Sequence, residues 1–379
     1  SSTMTERRGN LILTGLLGIM IVALVASLVL AGLPTAARRL TLGSAAASAF
    51  AVVSTLLLGS PVSLYGLTQG VGPSGFGYNS TAEDVTAGMN LAGRTYLVTG
   101  CGSGLGTETL RVLRLRGARV LASARSLASA QAAINSTQGP GEAIPVACEL
   151  AEPASVRAAV AEVKRLGFPL DGIIANAGIM ALPKRQLKHG VEEQLFTNHV
   201  GHFLLVTGLL GQLTPAGRVT MLSSAAHKGT YPEGVRLDDW AAERGYTAWG
   251  AYGQSKLCNL LFARHLGRVV LQGAQTANSV HPGVIATNLG RHMPNFATTI
   301  MGAVGPALVL KTIPQGAATQ LYVATHDATA SARGLYFSDN NITRPSRFGE
   351  DDALAAAVWK RTEEPVSYTH LRAHETVLD

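Results

Sequence analysis

Thr95-Tyr96-Leu97-Val98-Thr99-Gly100-Cys101-Gly102-Ser103-Gly104-Leu105-Gly106 decides the fold of this chain. Thr95 to Val98 is a short apolar, β-favouring run and reads as a buried strand. From Leu105 to Leu115 the apolar residues recur at helical spacing. A dinucleotide pyrophosphate needs a tight turn, close backbone approach and a helix N-terminus aimed at it, and glycines permit all three. A loop of this kind is by itself only a turn, so its neighbours must carry the argument.

Working outward, further strands are expected at Arg119–Ala122, Ala143–Cys148, Leu170–Ala175, Arg218–Leu222 and Thr276–His281. Long helices are expected over Val191–Leu210 and Tyr252–Val270. This alternation predicts an α/β fold, a doubly wound parallel sheet of Rossmann type with helices on both faces.

Where the second strand ends, an NAD-specific site would carry a carboxylate for the ribose 2′-hydroxyl, and this chain has Ser123-Ala124-Arg125. A guanidinium there can hold the 2′-phosphate of NADP, so NADP(H) is the preferred cofactor and NAD(H) the alternative. A solvated surface arginine is the bland reading of Arg125. Glu149 follows the third strand and fits either an adenine contact or a helix-capping carboxylate. Asn176-Ala177-Gly178 follows the fourth strand at the ligand-binding edge of such sheets. Asn198 is a misfit within a helix, which points to an active-site water or a distortion of the helix. Ser223-Ser224 ends the next strand, where one hydroxyl can face the crevice. Tyr252 and Lys256 lie one helical turn apart, so an ammonium would stand beside a phenol and lower its pKa. Cys258 reads as a buried structural thiol.

Thr99-Gly100-x3-Gly104-x-Gly106, Asn176-Ala177-Gly178, Asn198, Ser224, Tyr252-x3-Lys256, His281-Pro282-Gly283 and Thr287 occur in the order of the short-chain dehydrogenases/reductases, which residues 91–359 resemble. Phe196-Thr197-Asn198-His199-Val200-Gly201-His202-Phe203 and Ser223-Ser224-Ala225-Ala226-His227 are similar to the retinol-dehydrogenase-like branch. The stretches Gln315–Ala318 and Gly334–Asp339 are similar to its plant and algal members, which include translocon-type dehydrogenases of the chloroplast inner envelope. The resemblance implies Tyr252 as general acid/base and Lys256 as the group that lowers its pKa and binds the nicotinamide ribose. It also implies Ser224 on the substrate oxygen and Asn198 positioning a water of the proton relay. The cofactor set it implies is Thr99, Gly100, Ser103, Gly104, Leu105, Gly106, Arg125, Glu149, Leu150, Asn176, Ala177, Gly178, Tyr252, Lys256, Pro282, Gly283 and Thr287. Glu149 stands where the family usually has Asp, and the glycine loop lacks the basic residue common in NADP-preferring members. Residues 229–249 and 285–312 would border the substrate pocket, and a homodimer is expected by analogy. A redox-sensing NADP(H)-binding subunit of a membrane complex, such as a plastid import translocon, is the rival function. A protochlorophyllide-reductase-like enzyme is a lesser one, suggested by Ser255–Asn259.

Of the 379 residues, 47% are hydrophobic and only 15% charged, low for a soluble domain. Much of the surplus lies in residues 1–58. Leu11–Leu33 is a charge-free run long enough to span a bilayer, and Leu40–Leu58 is a more dilute second candidate. Arginines flank the first run on both sides, so orientation is left open. Residues 59–90 read as linker, 91–362 as the catalytic domain, and 363–379 as an aperiodic tail, disordered or non-native. Residues 1–3, ahead of Met4, also read as an added end. The net charge of +7 comes from scattered Lys and Arg, without the runs and aromatic interleaving of nucleic-acid binding. Three widely spaced cysteines give neither a disulfide framework nor a metal site and fit a reducing compartment, cytosol or stroma. The expected partners are a lipophilic carbonyl or alcohol substrate and a membrane.

Overall fold

Every residue of the first strand, β1 (Thr95–Thr99), is buried, as a central parallel strand covered on both faces must be. The side chains alternate between two cores. Leu97 packs with Leu121, Ile173, Phe203 and Phe262 on one face of the sheet. Tyr96 and Val98 pack with Leu110, Val120, Ile174 and Leu321 on the other. The computed structural model describes residues 64–285 and 310–375, with backbone only for 365–375.

The remaining strands are β2 (Arg119–Ala124), β3 (Ala143–Ala147), β4 (Leu170–Ala175), the small hairpin β5 (Leu187–Lys188) and β6 (Val191–Glu192), β7 (Leu213–Leu222), β8 (Thr276–His281), β9 (Tyr336–Ser338) and β10 (Asn341–Ile342). The main sheet has eight strands in the order β10-β9-β8-β7-β4-β1-β2-β3. All its pairings are parallel except β9 with β10. Helices α1 (Gly104–Leu115), α2 (Leu127–Asn135), α3 (Pro153–Leu166), α4 (Gly201–Leu209), α5 (Ala248–His265), α6 (Ile313–Thr325) and α7 (Asp352–Glu375) complete the fold. Strand order reverses between β1 and β4, which makes their carboxyl ends the natural ligand crevice.

Four expectations change. The helix expected over Val191–Leu210 starts instead with the β6 pairing. It then runs as an α-turn at Glu193–Leu195, a π-helical turn at Phe196–Val200, and α4. Residues 76–90 are no loose linker, because Ala82 and Val85 are fully buried against the α1 and α6 side of the sheet. The helix over Tyr252–Val270 begins earlier, at Ala248, where the Thr247 hydroxyl accepts the Gly250 N–H as N-cap, and ends in a π-turn at Leu266–Val270. The aperiodic tail continues α7 to Glu375. Ala355 and Val358 anchor that helix in a third core with Leu257 and Leu261. Both membrane-span expectations lie outside the described residues, and no described helix is long and apolar enough to cross a bilayer.

Candidate active site

The carboxyl ends of β1 and β4 open into a cleft of about 660 Å³, lined among others by Thr99, Gly100, Ser103, Arg125, Asn176, Tyr252 and Lys256. Its shape begins with glycines. Gly100 and Gly104 have φ of +74° and +57°, where a side chain is strained. A Cβ on Gly106 would stand 2.1 Å from the Gly100 carbonyl oxygen, so only glycine lets α1 start this close to the loop. The Thr99 hydroxyl accepts the N–H groups of Asn176 (2.9 Å) and Ala177 (3.0 Å), and Asn176 Nδ2 donates to the Thr99 carbonyl at 2.8 Å. The two strand ends are thereby locked together.

At the far end, Arg125 is exposed on the cleft wall, forms no ion pair among the described residues, and directly precedes Ser126, the N-cap of α2. Glu149 and Leu150 also line the cleft. Glu149 Oε1 accepts the Ala151 N–H at 3.3 Å in the turn ahead of α3, whose N-cap is Glu152. Pro282 reaches the cleft, while Gly283 (φ +94°) packs against the Lys311 side chain behind it. Thr287 lies outside the described residues.

The catalytic candidates converge at the near end. Tyr252 and Lys256 are both 4% exposed, on α5. Lys256 Nζ lies 5.7 Å from the centroid of the Tyr252 ring and donates to the Leu222 carbonyl at 3.1 Å. The structure corrects the expectation that this ammonium lowers the phenol's pKa. Burial dominates and pushes Tyr252 up to about 12, with its side-chain hydrogen bond to Ser224 pulling the other way. Burial likewise pulls Lys256 down to about 8. The two serines separate cleanly: the Ser223 hydroxyl donates to the Lys256 carbonyl at 2.7 Å, and Ser224 meets Tyr252.

Asn198 is fully buried within the π-turn, a distortion that often marks functional sites. Its Oδ1 accepts the Ile179 N–H at 2.8 Å, and Nδ2 donates to the Ile179 carbonyl and to Ser255 Oγ, each at 2.9 Å. The side chain is a brace between the loop after β4 and α5, with no amide hydrogen left for a water. A Cβ on Gly178 would lie 3.1 Å from Asn198 Oδ1 and 3.4 Å from Lys256 Nζ, so this glycine makes room for both. Ile179 and Ser255 escaped the sequence reading because their parts are a backbone amide and a hydroxyl turned inward.

Residues 94–236 match the family model for short chain dehydrogenase. Over 312 residues the chain is 40% identical to short-chain dehydrogenase TIC 32 B, chloroplastic, of Brassica napus, covering 78% of this chain and 96% of that one. The chain belongs to the short-chain dehydrogenase/reductase family. It is also 34% identical over 293 residues to human (Homo sapiens) retinol dehydrogenase 14, covering 72% of this chain and 86% of that one. Among solved structures, a protein from Mycobacterium paratuberculosis aligns with TM-score 0.60 and 30% identity, over 75% of this chain and 97% of that one. The likeness to retinol-dehydrogenase members agrees with the motifs at Phe196–Phe203 and Ser223–His227, and that to chloroplastic members with Gln315–Ala318 and Gly334–Asp339. As a short-chain dehydrogenase/reductase, the protein is an oxidoreductase of alcohol and carbonyl groups that uses NAD(P).

Proposed function

We propose that this short-chain dehydrogenase/reductase uses NADP(H) to interconvert a carbonyl and an alcohol on a lipophilic molecule, with Tyr252 as general acid/base. The observation that carries this reading is the meeting of Tyr252, Ser224 and Lys256 at one end of a cleft whose other end holds an exposed Arg125. The residues present fit a dinucleotide. Gly106 lets α1 close onto the loop so that its N-terminus would aim at a pyrophosphate, and a Cβ on Gly102 would meet nothing within 4 Å. The buried Lys256 ammonium has one acceptor among the described residues, the Leu222 carbonyl. Arg125 would hold the 2′-phosphate, with Lys256 on the nicotinamide ribose.

The bound nicotinamide supplies or takes the hydride, and the chain's residues handle orientation and the proton. Ser224 holds the substrate oxygen beside the Tyr252 hydroxyl. In reduction Tyr252 donates its proton to that oxygen; in oxidation its phenolate takes the proton back. A phenol held near 12 is protonated at neutral pH, which suits carbonyl reduction. Asn198 acts through the Ile179 backbone and Ser255, which set the loop after β4 against α5.

A lipophilic substrate is supported by the exposed Trp249 ring, edge-on to Tyr252 at 6.1 Å, and by the retinol dehydrogenase relative. Residues 11–33 would anchor the protein to a membrane where such substrates dissolve. The buried free cysteines accord with a reducing compartment, cytosol or plastid stroma. The 40% identity to the chloroplastic TIC 32 B relative supports the second reading, an NADP(H)-binding subunit of a membrane complex. A panel of lipophilic aldehydes and ketones, run with NADPH and NADH, tests the first. Steady NADPH-dependent turnover is expected. Tight NADPH binding without turnover, with recovery in a multiprotein complex, would favour the subunit.

A further inference from the structure

We infer that His202 and His227 are positioning residues, each a neutral imidazole whose Nδ1–H holds the backbone carbonyl of one active-site residue. The inference rests on the reading above, in which Ser224 and Asn198 serve the reaction.

The hydrogen bonds leave one tautomer for each ring. The Ser346 backbone N–H donates to His227 Nε2 at 3.0 Å. A backbone amide can only donate, so Nε2 carries no proton and the ring hydrogen is on Nδ1. That hydrogen points at the Ser224 carbonyl, 2.6 Å away. The backbone N–H of His227 reaches the same carbonyl at 3.1 Å, so Ser224 is gripped twice from one residue. At His202 the tautomer is fixed by Thr99. The Thr99 oxygen already accepts two backbone N–H groups, which occupies both lone pairs, so its hydroxyl hydrogen goes to His202 Nε2 at 2.9 Å. His202 Nδ1–H then donates to the Asn198 carbonyl at 2.9 Å.

The two sites share one design on different elements. His202 is the residue four beyond Asn198, where an α-helix would supply a backbone N–H and the π-turn shifts that pairing on by one. Its ring supplies an N–H to that carbonyl. His202 ties Asn198 to the shoulder of the glycine loop, and His227 ties Ser224 to the segment ahead of α7. Both rings are fully buried, and burial lowers the pKa of each, His202 to about 4, which keeps them neutral. Core packing alone would not require both rings to end on the carbonyls of active-site residues.

The test has two independent arms on the full-length chain. With 15N-labelled histidine, NMR couplings show which ring nitrogen bears hydrogen, and loss of a signal in His202→Asn or His227→Asn assigns it. Both rings should be Nδ1–H tautomers near neutral pH; an Nε2–H tautomer or an imidazolium at either position overturns the inference. In kinetics, Asn keeps a donor at the δ position, whereas Gln moves its amide to the ε position. Each Gln variant should lose kcat on the order of 10²-fold, the cost of a misplaced group, with KM for NADPH unchanged. The Asn variants should recover most of it. Equal losses in Asn and Gln variants, or losses that track melting temperature, would show a packing role only. Full turnover in Ser224→Ala would instead remove the site reading itself, whatever the tautomers.

Discussion

At the cofactor end of the cleft the chain offers backbone and space: Gly100 and Gly104 with positive φ, Gly106 against a carbonyl, and an exposed Arg125 at the margin. At the substrate end it offers side chains already tied down: Tyr252, Lys256 and Asn198 are buried, and the Asn198 side chain makes three hydrogen bonds. A long, flexible dinucleotide can be gripped by shape and one well-placed charge. Proton transfer needs groups held before the substrate arrives, because small misplacements cost rate. The two ends should therefore fail differently when altered: binding at one, turnover at the other.

The largest expected effect lies at the substrate end. Tyr252→Phe removes the hydroxyl that meets Ser224 and should lower turnover by about 10²–10⁴-fold. NADPH affinity, followed by fluorescence titration, should stay as in the parent protein. Retained turnover would mean that another group moves the proton.

The pH profile sharpens the same point. Burial raises Tyr252 from 10.0 to about 12, so the phenolate needed for alcohol oxidation is scarce at neutral pH. Oxidative kcat/KM should climb roughly tenfold per pH unit from neutrality as that form grows in, and level off above about pH 8 as the Lys256 ammonium is lost. Reductive kcat/KM needs the phenol and should hold until about pH 8, where Lys256 loses its ammonium. An oxidative profile already flat at neutral pH would show that the bound state lowers Tyr252 far more than burial raises it.

At the cofactor end, Arg125→Asp replaces a charge-assisted contact with a repulsive one. The ratio of kcat/KM for NADPH over NADH should fall by about 10- to 100-fold, the scale of a hydrogen bond to a charged group. Turnover with saturating NADH should remain. An unchanged ratio would mean that Arg125 never meets the 2′-phosphate.

How far each end was legible in the sequence follows from the same contrast. A glycine loop between a strand and a helix, and a Tyr four residues before a Lys, are local patterns whose geometry the chain dictates. Asn198 was legible as a misfit, and the π-turn explains why an unfavourable helix residue is there. The Tyr252 pKa was not legible, because its sign depends on how deeply α5 is packed, and burial outweighs the helix-face neighbour. The partners of His202 and His227 were equally hidden. Thr99 and Ser346 lie about a hundred residues away in the chain, and only the sheet order and the C-terminal segment bring them close. Residues 76–90 read as linker because they follow the Gly-, Ser- and Pro-rich stretch 59–77, and Ala82 and Val85 are too few to show a period.

The smallest expected effect separates shape from composition within one loop. Gly102 and Gly106 lie in the same loop, Gly102 at one of the motif's open positions, and they differ in what a side chain would meet. A Cβ on Gly102 finds nothing within 4 Å, whereas one on Gly106 would stand 2.1 Å from the Gly100 oxygen and 2.7 Å from Asn176 Nδ2. Gly106→Ala must push α1 away from the loop, at about 1–3 kcal/mol of stability. NADPH affinity should fall with it, since the helix N-terminus loses its aim. Gly102→Ala should stay within about 0.5 kcal/mol, as an exposed substitution with no neighbour. Urea unfolding of the two variants side by side reads the difference. Equal stability would mean that α1 relaxes freely and that the close approach at Gly106 adds nothing to the fold.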